Sequence, residues 1–136
     1  MIIGIGNDME SISRVKKVLE RQPGFLDMIL TPAEIAAAKK RSGKHYYEFV
    51  AGRFSAKEAF SKATGYGIGK EVHWHDVSIL NASNGRPIIR VRNFAYRTHV
   101  AITHSGDYVN TMVTIEKLSK WDKFRLRFMR GRGVIL

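Results

Sequence analysis

Two acidic residues occupy positions from which they could do chemistry. Asp8 comes directly after an apolar run, residues 1–7, that predicts a short buried strand ending at Asp8. Glu58 lies in the segment 44–64, whose aromatic and small residues predict the longest helix. Mg²⁺ is typically held by one or two carboxylates together with waters and substrate phosphates. If the two side chains converge, they therefore suit one hard cation.

Basic residues accompany Glu58 along the same helix. With a cation held by the carboxylates, Arg53, Lys57 and Lys62 would bind the remaining phosphates of a phosphate-rich substrate. A plainer interpretation makes Glu58 and Lys62 an i,i+4 ion pair worth about 0.3 kcal/mol on a solvated face. Asp8 could likewise cap the next helix, a position for which Ser11 competes. Spacing alone leaves these interpretations open.

Three histidines lie at or near predicted strands. His104 ends one strand and is followed by a Ser-Gly-Asp turn, a position compatible with either a structural or a functional role. The short His-Ser…Asp run is not a catalytic triad, because neighbouring residues cannot adopt the required relay geometry. His73 and His75 alternate on a predicted strand and would share a face, so a metal pair is one interpretation, although no third ligand lies nearby.

The composition restricts the classes of protein to which the chain can belong. It has 136 residues, enough for one domain, and no cysteine, which excludes disulfides and thiolate chemistry. The first residues lack the basic region of a signal peptide, and no apolar run approaches the roughly 20 residues of a membrane span. We therefore expect a soluble cytoplasmic protein. Its net charge of +11 favours polyanionic partners such as nucleotides, nucleic acid or a very acidic protein.

The pattern of apolar and capping residues predicts helices in the first half. Apolar residues at helical spacing predict a helix over 11–22, which Pro23-Gly24 would end. Thr31-Pro32-Ala33-Glu34 is a capping box that predicts a second helix, to about Arg41. Gly65 is placed to cap the end of the long helix 44–64.

The second half predicts antiparallel strands. Residues 72–80 and 87–91 flank an Asn-Gly hairpin signal, and residues 100–103 and 108–115 flank Ser105-Gly106-Asp107. One strand, then helices, then antiparallel strands define an α+β domain with the long helix packed on an antiparallel sheet. We assign this domain to residues 1–118.

The tail, residues 119–136, differs from the rest of the chain. It contains six Lys or Arg residues and one Asp, with aromatic residues among them. We consider an amphipathic arm on a membrane or nucleic acid, a disordered appendage without a catalytic role, or a cloning remnant.

Four segments together resemble the holo-acyl-carrier-protein synthases, the short trimeric class of the 4'-phosphopantetheinyl transferase superfamily. Each segment is unspecific alone, but all four occur in order and at the family's spacing over residues 1–117. They are Gly4-Ile5-Gly6-Asn7-Asp8 with Ile12-Ser13-Arg14, the stretch 49–63 centred on Lys57-Glu58-Ala59, Asn84-Gly85-Arg86-Pro87, and Val100-Ala101-Ile102-Thr103-His104-Ser105.

The resemblance implies an activity and a set of site residues. The enzyme would transfer phosphopantetheine from coenzyme A to a serine of apo-acyl carrier protein, with Mg²⁺ and release of 3',5'-ADP. It would be a homotrimer with active sites between subunits, so that Asp8 and Glu58 need only meet in the assembled cleft. The implied metal ligands are Asp8 and Glu58, the implied phosphate contacts Lys62, His104 and Arg53, and the residues near the nucleotide Ser61 and Gly65.

The chain departs from the family pattern at one position, and more than one partner fits its sequence. Ser11 stands where family members commonly carry glutamate, with Glu10 just before it. Because acyl carrier proteins are acidic, we expect carrier docking on Arg14, Lys17 and Arg21, which recur at helical spacing. A peptidyl carrier is an alternative substrate, although the short single domain favours the fatty-acid carrier. A nucleic-acid-binding domain is the rival function, but it leaves the Lys-Glu-Ala helix unexplained.

Overall fold

The computed structural model describes the backbone of residues 1–130 and the side chains of residues 1–125. A short 3₁₀ turn, Trp74–Asp76, precedes the second strand. The elements are β1 (Ile2–Ser11), α1 (Ile12–Arg21), α2 (Phe25–Ile29), α3 (Pro32–Lys39), α4 (Gly43–Thr64), β2 (Val77–Asn81), β3 (Pro87–Val91), β4 (Arg97–Ser105), β5 (Tyr108–Glu116) and α5 (Lys120–Arg130).

The strands form two antiparallel sheets. One has the order β1-β5-β4, and the other contains β2 and β3. Both predicted turns occur, with Gly85 and Gly106 at positive φ angles of 83° and 58°. Asp8 lies opposite Thr111 of the central strand β5. The predicted α+β class is confirmed.

Helix α4 packs directly on β1, and two glycines permit this close approach. A Cβ atom on Gly4 would lie 2.2 Å from the Ala63 carbonyl oxygen, and one on Gly6 would lie 1.8 Å from that of Ala59. Side chains at either position would therefore push helix and strand apart. The Gly4-x-Gly6 pattern is thus a packing feature, and it fixes how Asp8, two residues later on the same face of β1, meets α4.

The core consists of two hydrophobic clusters on α4. The first joins α4 to α1, α2 and α3 around Ile29, Leu30 and Val50. The second joins α4 to both sheets around Phe60, Ile79 and Val113. Every element that precedes or follows α4 in the domain is thereby held against one helix.

Lys57 is a structural residue, so its predicted contact with substrate phosphates is wrong. Its ammonium is fully buried and donates to Glu34 Oε1 at 2.7 Å and to the Ile29 carbonyl oxygen at 2.7 Å. Glu34 belongs to the predicted capping box of α3, which the structure confirms, and also accepts the Ile79 N–H at 3.0 Å. This pair ties α2, α3 and β2 to α4.

Several predicted element boundaries change. Strand β1 continues to Ser11, so Asp8 lies within the strand instead of ending it. Ser11 is the N-cap of α1, where its hydroxyl accepts the Arg14 N–H. His73 and His75 lie in and beside the 3₁₀ turn, not on a strand, and the His75 ring contacts the Asp27 carbonyl oxygen at 2.7 Å. The geometry assumed for a histidine metal pair is therefore absent.

The outer face of the three-stranded sheet carries an exposed apolar patch on β1 and at Met112, next to polar residues of β4 and β5. Gly4, Gly6 and Asp8 point towards α4, so the alternate residues of β1 point away from it. On that face Ile5 is 62% exposed and Met9 is 59% exposed, with Ile3 and Met112 also exposed. Among the described residues, no helix is long and apolar enough to cross a membrane.

Candidate active site

Asp8 and Lys62 form the centre of the candidate site. Asp8 is 7% exposed, and its Oδ1 accepts a hydrogen bond from Lys62 Nζ at 2.9 Å. Its other oxygen accepts the buried hydroxyl of Ser55 at 2.8 Å. Lys62 also donates to the Asn7 carbonyl oxygen at 3.0 Å, yet its side chain remains 55% exposed. The carboxylate is therefore fixed in place, while the ammonium can reach a ligand.

Glu58 lies one helical turn before Lys62 and near Asp8. Burial raises the pKa of Glu58, the charge of Asp8 raises it further, and Lys62 lowers it. Lys62 makes its ion pair with Asp8, so the simple i,i+4 pair with Glu58 is not what the structure shows. The charge of Asp8 acts on Glu58 within a single chain, so the two carboxylates lie on the same side of α4 before any assembly.

Glu10 is a third acidic residue beside this pair, and no role for it was predicted from the sequence. Burial raises the pKa of Glu10, and the charges of Asp8 and Glu58 raise it further, whereas Arg14 lowers it. Residues two apart on a strand share a face, and this alternation was the signal that could have placed Glu10 beside Asp8. The site therefore contains more negative charge than Lys62 alone balances.

Ser61 and Gly65 hold the loop that follows α4. Gly65 caps the helix in the left-handed conformation at φ 76°, as predicted. The Ser61 hydroxyl donates to the Tyr66 carbonyl oxygen and accepts the Ile68 N–H at 3.1 Å. Ser61 is thus engaged with its own loop, one turn of helix beyond Glu58.

Arg53 and His104 lie together in a separate pocket of about 450 Å³. Arg53 is 5% exposed, and its Nε donates to the Ile79 carbonyl oxygen at 3.1 Å. Burial lowers its pKa to about 10, and the guanidinium stacks on the Phe49 ring at 3.8 Å. Arg41 and His45 add further basic groups to the pocket wall. The pocket therefore suits a multiply charged anion.

The acidic residues Asp8, Glu10 and Glu58 form a carboxylate cluster, and the pocket of Arg53 and His104 is basic. The two lie on different faces of α4. Arg53 and Glu58 are five residues apart, which places them roughly 140° apart around the helix axis. In agreement, Ser55 contacts Asp8 on β1, whereas Arg53 contacts Ile79 on β2. The structure thus brings Asp8, Glu58 and Lys62 together, and separately Arg53 and His104, but does not join the two groups within one chain.

The predicted docking residues lie on α1, directly after β1. Arg14, Lys17 and Arg21 are all exposed. The effect of Arg14 on the pKa of Glu10 shows that this end of α1 adjoins the carboxylate cluster. Asp107 fixes the start of the helix by accepting the Ser13 N–H at 3.0 Å and the Ser11 hydroxyl at 2.7 Å.

These features agree with the similarity of the chain to known proteins. Residues 4–113 match the family model of the 4'-phosphopantetheinyl transferase superfamily, and the chain belongs to that family. Its relatives include the holo-[acyl-carrier-protein] synthase of Leuconostoc citreum, 65% identical over 99% of this chain and 100% of that one. The resemblance noted from the four segments is confirmed.

Solved structures and shorter relatives extend this result. A holo-(acyl-carrier-protein) synthase from Bacillus anthracis, crystallised in complex with CoA (3',5'-ADP), has a TM-score of 0.80 and 42% identity, covering 87% of this chain and 99% of that one. The Anoxybacillus flavithermus holo-[acyl-carrier-protein] synthase is 48% identical over 88% of this chain and 99% of its own length. The predicted transferase-like fold is therefore confirmed.

Proposed function

We propose that this enzyme transfers the 4'-phosphopantetheine group of coenzyme A to a serine of apo-acyl carrier protein, releasing 3',5'-ADP. The observation that carries the proposal is the convergence of Asp8, Glu58 and Lys62 in a chain of this family. The relatives' names and the CoA-bound neighbour support the same donor and acceptor. A nucleic-acid-binding function has only the net charge and the basic, aromatic tail in its favour.

Mg²⁺ fits the carboxylate cluster. Asp8 and Glu58 supply the hard oxygen ligands that this ion prefers. Burial, and after it the charge of Asp8, raises the pKa of Glu58 and of Glu10, which indicates negative charge that a cation would relieve. Within the described residues no set of three His, Cys, Asp or Glu side chains forms a metal cage. Water and substrate phosphates would complete the coordination. A bound Mg²⁺ would neutralise charge on the pyrophosphate during transfer.

The side chains of the cluster have distinct roles in this reaction. Lys62, held by Asp8 but half exposed, is positioned to bind a phosphate oxygen and to stabilise the charge that develops there. Glu58 is a candidate acceptor for the proton of the attacking serine, because burial and Asp8 raise its pKa towards the working pH. Positioning and electrostatic stabilisation account for most catalysis of phosphoryl transfer.

Coenzyme A would bind across two subunits of a homotrimer. The basic pocket of Arg53 and His104 suits its nucleotide phosphates, yet it lies on the other face of α4 from Asp8 and Glu58. A neighbouring copy can supply the missing half of the site. The exposed apolar patch of β1, with Ile5 and Met9, offers a surface for that assembly. Ser61 and Gly65 would shape the loop beside the nucleotide.

The acidic carrier protein would dock on α1 and deliver its serine to the adjacent cluster. Arg14, Lys17 and Arg21 present positive charge beside Glu10 and Asp8. Complementary charges of this kind accelerate encounter and make it sensitive to salt. Domain limits of 1–118 and a cytoplasmic location remain predictions.

The direct test is a mass spectrum of apo-acyl carrier protein after incubation with the enzyme, coenzyme A and Mg²⁺. We expect the mass to increase by one phosphopantetheine group, and EDTA to abolish the increase. A matched reaction with an apo-peptidyl carrier distinguishes the two carrier classes. No mass increase on either carrier, from a folded enzyme, would contradict the proposal.

A further inference from the structure

Helix α5 is not explained by the transferase activity. It follows the last residue, 113, of the family match. The Leuconostoc relatives at 65% and 62% identity align over 99% of the chain, whereas the Anoxybacillus relative aligns over 88% while covering 99% of itself. The tail is thus shared with natural relatives, so it is not a cloning remnant, and some synthases lack it.

The start of α5 is a defined helix terminus. The Ser119 hydroxyl accepts the Asp122 N–H at 3.1 Å, and Asp122 Oδ2 accepts the Ser119 N–H at 3.0 Å. This reciprocal pair is a capping box with aspartate in place of glutamate. Local interactions therefore support the helix where the basic tail begins.

The first turns of α5 expose aromatic rings. Trp121 is 73% exposed and Phe124 is 64% exposed, and the two rings meet edge to face with centroids 6.1 Å apart. Neither ring belongs to the core clusters identified in the described residues. Three residues apart on a helix, they form a small apolar surface on one side.

Basic side chains accompany these rings. Lys120, Lys123 and Arg125 are exposed, and residues 119–136 contain six Lys or Arg against one Asp. A short helix that combines exposed Trp and Phe with Lys and Arg, at low overall hydrophobicity, is typical of helices that lie in the interface of a bilayer. Tryptophan in particular is enriched at that depth. Anionic lipid headgroups complement the positive charge.

We propose that α5 is a docking helix for the surface of an anionic lipid bilayer. An 11-residue helix is about 16 Å long, so it would lie on the membrane and not span it. Isolated helices of this length are marginal in water, and burial of Trp121 and Phe124 in the interface would add stabilisation. Docking would bring the enzyme to the membrane without changing its active site.

The position of α5 favours lipid over the carrier protein as its partner. The chain enters α5 beside the N-terminus, where the Lys117 N–H donates to the Met1 carbonyl oxygen at 2.9 Å. Helix α1 begins at the opposite end of the ten-residue β1, roughly 30 Å away. A carrier protein bound to α1 would therefore have to span the full length of β1 to contact α5 of the same chain.

The test is co-sedimentation of the full chain with vesicles of phosphatidylcholine, with and without about one third phosphatidylglycerol. We expect binding only to the anionic vesicles, weakened by salt. Trp121→Ala/Phe124→Ala should weaken binding about tenfold or more, and Lys120→Glu/Lys123→Glu about tenfold at low salt. The control Lys39→Glu/Arg90→Glu makes the same change in net charge at exposed sites outside α5 and should bind within about threefold of the parent chain.

Three results would overturn the proposal. The first is no binding to anionic vesicles. The second is equal loss in the α5 variants and in the control, since net charge alone would then explain binding. The third is an α5 variant that retains vesicle binding but loses binding to duplex DNA or to acyl carrier protein. Normal transfer activity of every variant, measured on soluble carrier, shows that it is folded.

Discussion

Two lysines of α4, only five residues apart, form ion pairs of opposite character. Lys57 pairs with Glu34 at 2.7 Å, and both side chains are 0% exposed. Lys62 pairs with Asp8 at 2.9 Å, but its side chain is 55% exposed. In the sequence both belong to the same Lys-Glu-Ala segment, and both were expected to bind phosphate. Their burial separates a structural residue from one that is free to contact a substrate.

The physical difference is the availability of the ammonium group. Lys57 Nζ has three acceptors, the Glu34 carboxylate and the carbonyl oxygens of Ile29 and Trp74, and no room for another. Burial lowers its pKa, and Glu34 opposes that effect. Lys62 keeps contact with water, so a phosphate can replace water at little desolvation cost. Between these two lysines, contact with water decides which ammonium a phosphate can reach.

The largest expected effect is on stability, from Lys57→Ala. The substitution leaves Glu34 buried without its partner, which typically costs about 3–5 kcal/mol. Urea unfolding would measure the loss. Lys57→Ala/Glu34→Gln should recover part of it, because the amide removes the buried charge and its one oxygen still accepts one of the two backbone N–H groups that Glu34 accepts. If Lys57→Ala lowers the free energy of unfolding by less than about 1 kcal/mol, the buried pair does not stabilise the fold as argued.

Glu58→Gln tests the carboxylate next to the functional pair. We expect a folded, assembled enzyme whose turnover falls about a hundredfold or more, because proton transfer and metal binding both need the carboxylate. Mg²⁺ affinity, measured by titration calorimetry, should fall with it. The control Glu20→Gln neutralises an exposed acid on α1 and should keep normal turnover. Near-normal activity of Glu58→Gln would remove Glu58 from the mechanism.

Lys62→Ala should lower transfer activity more than stability, whereas Lys57→Ala should mainly lower stability. Lys62 is half exposed and Ser55 still donates to Asp8, so the loss of stability should be well below that of Lys57→Ala, about 1–2 kcal/mol. Loss of a charged hydrogen bond to phosphate should lower kcat/KM for coenzyme A about tenfold. Unfolding and transfer assays on one preparation would measure both. A destabilised variant with normal kcat/KM would reverse the roles assigned to the two lysines.

Arg14→Glu extends the comparison to a fully exposed cation. We expect the KM for the carrier protein to rise about three- to tenfold at low salt, with the difference shrinking at high salt as the charges are screened. The control is Lys16→Glu on the same helix, since Lys16 points to a different side and lies over the Tyr47 ring. An unchanged KM at low salt would leave α1 an ordinary solvated face.

The smallest effect is a pH dependence of stability from Glu58. Its pKa is raised in the folded chain above the ordinary 4.5, by burial and by Asp8. The folded state therefore binds the proton more tightly, and the free energy of unfolding should fall as pH rises from about 4.5 through the raised pKa. Urea unfolding in EDTA should show this fall in the parent chain and less of it in Glu58→Gln. Parallel pH profiles would contradict the assignment.

Much of the fold could be predicted from local signals. The Thr31–Glu34 capping box, the Gly65 cap and the two hairpin turns act through neighbouring residues, so the sequence contains the whole interaction. The boundaries were less certain, and the strand predicted over 72–80 begins only at Val77. The 3₁₀ turn before it depends on contacts with distant segments, such as that of His75 with Asp27.

By itself, the sequence determined the family, and it named Asp8, Glu58 and Lys62 as candidate site residues, because motif order and spacing are properties of the chain. Only the tertiary structure decided that Lys57 is buried, that Glu10 joins the carboxylates, and that Arg53 and His104 lie in another pocket. The reason is that burial and through-space distance arise when segments far apart in sequence pack together. The residue type limits the roles that a side chain can have, and its surroundings in the folded chain select among them.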